Sequence, residues 1–192
     1  MLVVFSSGNC QWLPKDTATS LGQFVKYVKT SDSTYVINWG DSKISRCTDP
    51  ISFGALNWTP VLRTQNNNYI FLHYGCGLDC WTAMALPMNL SEPVQEIPYP
   101  VLYEPGNTIV VHLCEINTDT LLVVKSMLLN DSLSLIRKKC YSEIKYHCID
   151  TVWISGTYLY VKPSNLYCNL YGNEKNVEKP IKIKISALLR RR

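Results

Sequence analysis

Four side chains able to do chemistry fall close together in this chain: His73, Cys76, Asp79 and Cys80, all inside Tyr69–Pro87, YIFLHYGCGLDCWTAMALP. Cysteines with three residues between them support several chemistries. Oxidised to each other, Cys76 and Cys80 would pin a loop, provided their Cα atoms come within about 7 Å. Deprotonated, they could join His73 on a metal, with Asp79 or a distant residue completing the four ligands that zinc requires. A redox-active or nucleophilic thiol is a third option, but thioredoxin-type pairs place two residues between the cysteines at a helix start, where the helix dipole lowers the thiol pKa. Here three residues intervene and no helix signal follows. Two reduced, buried thiols are the remaining alternative. Compartment favours the disulfide: eight cysteines in 192 residues is a high, even count that fits an oxidising environment.

The elements that must position these groups read as two strands. Tyr69, Ile70, Phe71, Leu72 and Tyr74 are large, apolar or β-branched, the composition of a strand. Asn66-Asn67-Asn68 marks a turn before them. Gly75 and Gly77 then let the chain reverse. Trp81–Leu86 restarts the apolar pattern, and Pro87 ends it by removing a ladder donor. With this hairpin on the page, Gly75-Cys76-Gly77-Leu78-Asp79-Cys80-Trp81 resembles a hairpin of uncharacterised secreted or periplasmic bacterial proteins, in which Gly-Cys-Gly is followed by two variable residues, Cys, and Trp or Gln. The resemblance covers only this hairpin. It implies β structure and an exported location, and no activity.

The rest of the chain repeats the strand–turn theme. Phe24–Lys29 and Thr34–Trp39 alternate, Gly40-Asp41 turns, and Ser42–Thr48 is expected to return as a partner. Trp58-Thr59-Pro60 belongs to a connector leading into the central hairpin. Thr108–Cys114 and Thr120–Leu128 form a second hairpin around Asn117-Thr118-Asp119. The latter run also fits helical spacing through Leu121, Val124, Met127 and Leu128, but its Val-Val core favours a strand. Leu133–Ile136 and Glu143–Cys148 flank the basic run Arg137-Lys138-Lys139, which reads as a solvated edge. Asp150–Ser155 and Thr157–Val161 meet at Ser155-Gly156 in a tight hairpin. Ile181–Ile185 alternates isoleucine with lysine, a half-buried terminal strand. Between these groups, Pro87, Pro93, Pro98, Pro100 and Pro105 make a proline-rich connector over 87–105, which excludes helix and central strands and divides two sheets or two subdomains.

Composition bounds the function classes. With 46% hydrophobic and 18% charged residues the chain is globular. The 19 basic and 15 acidic residues give +4, but without Arg190, Arg191 and Arg192 the balance is 16 against 15, or +1. The basicity is a tail over 187–192. A nucleic-acid binder carries its basic groups as a patch on the fold, so nucleic acid is not expected as a partner. No run of about 18 apolar residues exists to span a membrane. Leu2–Phe5 is expected as a first strand with Cys10 in a disulfide; alternatively it is the remnant of a secretion signal and Cys10 carries a lipid, the one route to a membrane. Asn57, Asn89 and Asn130 begin glycosylation sequons, which matter only in a eukaryotic secretory pathway.

Catalytic signatures are thin. His73, His112 and His147 each sit inside an expected strand. There is no Gly-x-Ser-x-Gly elbow, phosphate loop, His-Glu-x-x-His or dinucleotide fingerprint, so no cofactor is expected. The sequence therefore predicts a single all-β domain over 1–192, a sandwich, a barrel or two small antiparallel sheets built from hairpins. The expected role is a secreted or envelope protein that binds another protein or an envelope component without catalysis. The alternative is a thiol- or metal-dependent enzyme centred on the Cys76/Cys80 loop.

Overall fold

The computed structural model describes residues 13–53, 59–77, 80–116, 119–129, 131–137, 149–163 and 180–189. Within them the chain is all β, with no helix. Strands follow one another as antiparallel meanders, as expected where turn residues punctuate short apolar runs. The first sheet is β1 (Thr17–Ala18), β2 (Phe24–Lys29), β3 (Thr34–Gly40) and β4 (Ser45–Cys47), with β5 (Ile51–Ser52) also paired to β3. The second is β6 (Val61–Gln65), β7 (Tyr69–Gly77), β8 (Cys80–Pro87) and β9 (Gln95–Pro98). The third is β10 (Pro100–Glu104), β11 (Ile109–Ile116), β12 (Asp119–Ser126) and β13 (Asp131–Arg137). The fourth is β14 (Ile149–Ser155), β15 (Tyr158–Pro163) and β16 (Ile181–Lys184).

These four sheets stack face to face in chain order. Alternation along a strand sends successive side chains to opposite faces, and three separate cores result. Ile70, Leu72 and Tyr74 of β7 pack with Met84 and Leu86 of β8 onto Val25, Tyr35, Ile37 and Trp39 of the first sheet. The intervening Tyr69 and Phe71 turn the other way and, with Ala83, Ala85 and Ile97, meet Val110 and Met127 of the third sheet. Ile109, Val111, Leu113, Leu122 and Val124 then pack on Leu159 and Val161 of the fourth. The middle sheets are buried on both faces. The all-β class and the small antiparallel sheets built from hairpins are as expected; among the described residues there are four such sheets, and none closes into a barrel.

Three of the prolines of 87–105 stand at strand ends. Pro87 ends β8, Pro98 ends β9 and Pro100 begins β10. Both β9 and β10 are edge strands, of the second and third sheets respectively, where a missing donor is tolerated. Tyr99 between them takes a positive φ of 46° and turns the chain from one sheet to the next. Its N–H donates to Trp81 O at 2.8 Å and its carbonyl accepts from Leu113 N at 3.0 Å, so it is bonded to both sheets.

The first hairpin turns of three successive sheets are also tied together. Gln23 Nε2 donates to Asn66 O at 2.7 Å, and Asn66 Nδ2 donates to Thr108 Oγ1 at 2.9 Å. The Asn66 side-chain oxygen accepts from Asn68 N and Tyr69 N at 2.8 and 2.9 Å, the local bond by which asparagine makes a turn. At the C-terminal end Ile181 is exposed, Ile183 half-buried and Ile185 buried, so the last strand sinks into the core along its length. Leu188, expected within the basic tail, is buried in the core between the third and fourth sheets. Leu2–Phe5, Cys10, Glu143–Cys148, His147 and Arg190–Arg192 lie outside the described residues. No helix among the described residues is long and apolar enough to cross a membrane.

Candidate functional site

The geometry that stands out is at the edge of the stack where each sheet begins. The starting strands β6, β10 and β14 each carry one extra residue in their pairing. Leu62 faces Leu72 and Thr64 faces Phe71, which leaves Arg63 unpaired. Val101 is skipped between Pro100 and Leu102, and Asp150 between Ile149 and Thr151. Such a bulge bends an edge strand and re-aims a side chain. Here the bulged residues come at two open clefts between neighbouring strands.

One cleft, about 320 Å³, lies between β6 and β10 and is lined by Arg63, Thr64, His73, Pro100, Val101, Leu102 and Tyr103. The other, about 270 Å³, lies between β10 and β14 and takes in Val101 and Asp150. The Asp150 carboxylate there is answered by Lys162 Nζ at 2.7 Å. In the first cleft Arg63 has no carboxylate partner among the described residues.

Two of the residues lining the first cleft, His73 and Tyr103, carry rings. The His73 ring lies 5.1 Å from that of Trp81 and 6.0 Å, edge-on, from that of Tyr103. Tyr103 in turn packs 5.4 Å from Phe71. Two polar atoms, His73 Nε2 and Tyr103 OH, are buried here and find no hydrogen-bond partner among the described residues. An orphaned buried polar atom is costly and calls for an explanation. Burial, and then the Arg63 guanidinium, hold the His73 pKa below the usual imidazole range, so the ring is neutral near pH 7. Burial pushes the Tyr103 hydroxyl above its ordinary value, and it stays protonated. The cleft thus offers a cation at the rim, a hydroxyl donor within and a neutral imidazole nitrogen.

The residues singled out in the sequence are partly gathered here. His73 lines the cleft, and β7 continues from it to Cys76, itself the extra residue where Gly75 faces Trp81 and Gly77 faces Cys80. The backbone therefore brings Cys76 and Cys80 to neighbouring positions at the end of one hairpin. Their side chains, and Leu78 and Asp79 altogether, lie outside the described residues, as does Cys10. Among the described residues no three His, Cys, Asp or Glu side chains are placed to hold a metal, and Cys47 is a free, exposed thiol. His112 is buried on β11, its pKa lowered chiefly by burial, with Nδ1 3.4 Å from Leu113 O. Arg63 and Tyr103 were not legible as site residues: one lies in a short polar strand, the other within the proline-rich stretch, and only the pairing of different sheets brings them together. Comparison of the chain with known protein families, with curated proteins and with solved structures finds no match.

Proposed function

We propose that this protein is a non-catalytic binding module of an extracytoplasmic compartment, and that the first-strand edge formed by β6, β10 and β14 is its contact surface. The observation that carries this reading is the pair of clefts lined by Arg63, Val101 and Asp150, each a bulge residue on the first strand of its sheet. Groups fixed on strands are pre-organised, which lowers the entropy lost on binding. The partner is another protein or an envelope component. The exported location rests on the count of eight cysteines and on the backbone pairing that brings Cys76 and Cys80 to neighbouring positions, where a disulfide would close the central hairpin.

Partner capture from an envelope or secreted fraction tests the surface. Wild-type chain should retain a species that an Arg63→Glu, Val101→Asp double variant of unchanged circular dichroism does not. Equal retention by the variant overturns the assignment of this edge. Thiol titration under denaturing conditions tests the compartment: without reductant, fewer than the eight cysteines should react.

A second reading has one observation in its favour. His73, with Nε2 unpartnered, lies on the strand that carries Cys76, as a thiol- or metal-dependent enzyme using His73, Cys76, Asp79 and Cys80 would need. A thiol of low pKa or stoichiometric zinc in the purified protein would support it. A Cys76–Cys80 bridge that resists mild reductant removes it.

A further inference from the structure

We propose that the cleft between β6 and β10 is a binding site for a planar carboxylate, recognised by Arg63, Tyr103 and His73, the last two also offering ring surface. The inference rests on the reading of the first-strand edge as a binding surface and names the chemistry that one of its clefts selects.

Four observations lead there. Arg63 stands at the mouth of the cleft as a bulged residue with no acidic partner among the described residues. Its planar fork of donors matches a carboxylate in two parallel hydrogen bonds. Tyr103 OH and His73 Nε2 are both buried and both lack a partner among the described residues, and a ligand oxygen would satisfy each. His73 and Tyr103 bring two rings to the cleft lining, edge-on to each other at 6.0 Å, which gives a flat group ring surface to lie on; Trp81 packs on the His73 ring at 5.1 Å. The volume of about 320 Å³ is at the small end of the range of ligand pockets, enough for one ring bearing one acid. A single guanidinium balances a single negative charge. Tetrahedral dianions such as phosphate call for more cations, or for a nest of backbone N–H groups, and this cleft supplies neither among its lining residues. The neighbouring cleft makes an internal contrast: its acidic bulge residue, Asp150, is already paired with Lys162, so its charge is answered within the protein.

The probes are benzoate, benzamide and inorganic phosphate, titrated into the full chain while the side-chain resonances of His73 and Tyr103 and the fluorescence of Trp81 are followed. Benzoate should shift all three saturably, benzamide should bind at least tenfold more weakly, and phosphate should not compete. Arg63→Met, a change at an exposed position, should weaken benzoate tenfold or more and leave benzamide unchanged. Tyr103→Phe should weaken both, because it removes a donor and no charge. Benzoate and benzamide binding equally well would overturn the carboxylate assignment while leaving the cleft a binding site. Phosphate displacing benzoate would overturn the preference for a planar acid. No saturable shift with any probe overturns the site altogether, and the partner capture then judges the wider surface by itself.

Discussion

His73 is a base whose charged form the fold disfavours. Burial removes water from the imidazolium, and the Arg63 guanidinium repels it. Unfolding returns the ring to its ordinary value of about 6.5. Between that value and the lower folded one, the unfolded chain binds more protons than the folded chain. Stability from this group is therefore complete above about pH 6.5, falls as pH drops through it, and levels off below the folded-state value. His112, also lowered chiefly by burial, acts in the same direction. Urea midpoints should accordingly fall between about pH 7.5 and about pH 5. An NMR titration should place the His73 midpoint below that of a model imidazole, and Arg63→Met should raise it part of the way back, burial being the larger cause. A midpoint unmoved by Arg63→Met would mean that the guanidinium does not act on the ring, and would remove it from the cleft. His73 was legible in the sequence as a chemical group beside Cys76, but its partners were not. Arg63 and Tyr103 are separated from it by ten and thirty positions, and a lone arginine or tyrosine carries no spacing signal.

At the scale of the hairpin, two glycines that look alike in sequence do different work. Gly40 opens the turn between β3 and β4, where Asp41 N donates to Ile44 O at 2.8 Å. The Asp41 carboxylate accepts from Lys43 N and Ile44 N at 2.7 and 2.9 Å, and these bonds hold its pKa below the usual range. A Cβ on residue 40 would lie 1.8 Å from Ile44 O, so Gly40→Ala must force the turn apart. At Gly156, φ is +58° and a Cβ would meet nothing within 4 Å; Gly156→Ala meets only the backbone strain of that region. Urea unfolding should show a loss of about 2–3 kcal/mol for Gly40→Ala and about 1–2 kcal/mol for Gly156→Ala. Equal losses would mean that the turn around Asp41 yields more easily than its hydrogen bonds suggest. Both turns were readable, because Gly40-Asp41 and Ser155-Gly156 interrupt alternating runs. The bulges at Arg63, Val101 and Asp150 were not, since a bulge is a relation between two strands and neither strand alone records it. The ambiguity at β12 has a physical source as well. A strand covered on both faces has no polar side, so Leu122–Val124, all buried, loses the alternation that would separate strand from helix.

Over the whole molecule, that loss of alternation carries the information the sequence reading lacked. YIFLHY in β7 and IVVHL in β11 are continuous apolar runs because each feeds two cores. The number of layers is set by which faces meet, and period-2 patterning identifies a buried face without naming its partner. The stack implies how the protein unfolds. The core between the second and third sheets shares its strands, but not its side chains, with the cores on either side, and Gln23–Asn66–Thr108 ties the same sheets at their turns. Loss of one layer should expose an apolar face of the next, so the wild-type chain should unfold in one step. Fluorine NMR of 5-fluorotryptophan-labelled protein can follow Trp39 in the first sheet and Trp153 in the fourth through a urea titration, and their midpoints should coincide. Val110, fully buried between the second and third sheets, is where the layers can be parted. Val110→Asp places an unpaired carboxylate in that middle core and leaves the side chains of both outer cores intact. In this variant the midpoints of Trp39 and Trp153 should separate, because each outer pair of sheets melts around its own core. Coincident, lowered midpoints in Val110→Asp would instead mean that neither outer core holds without the middle one, and that the layers form one inseparable unit.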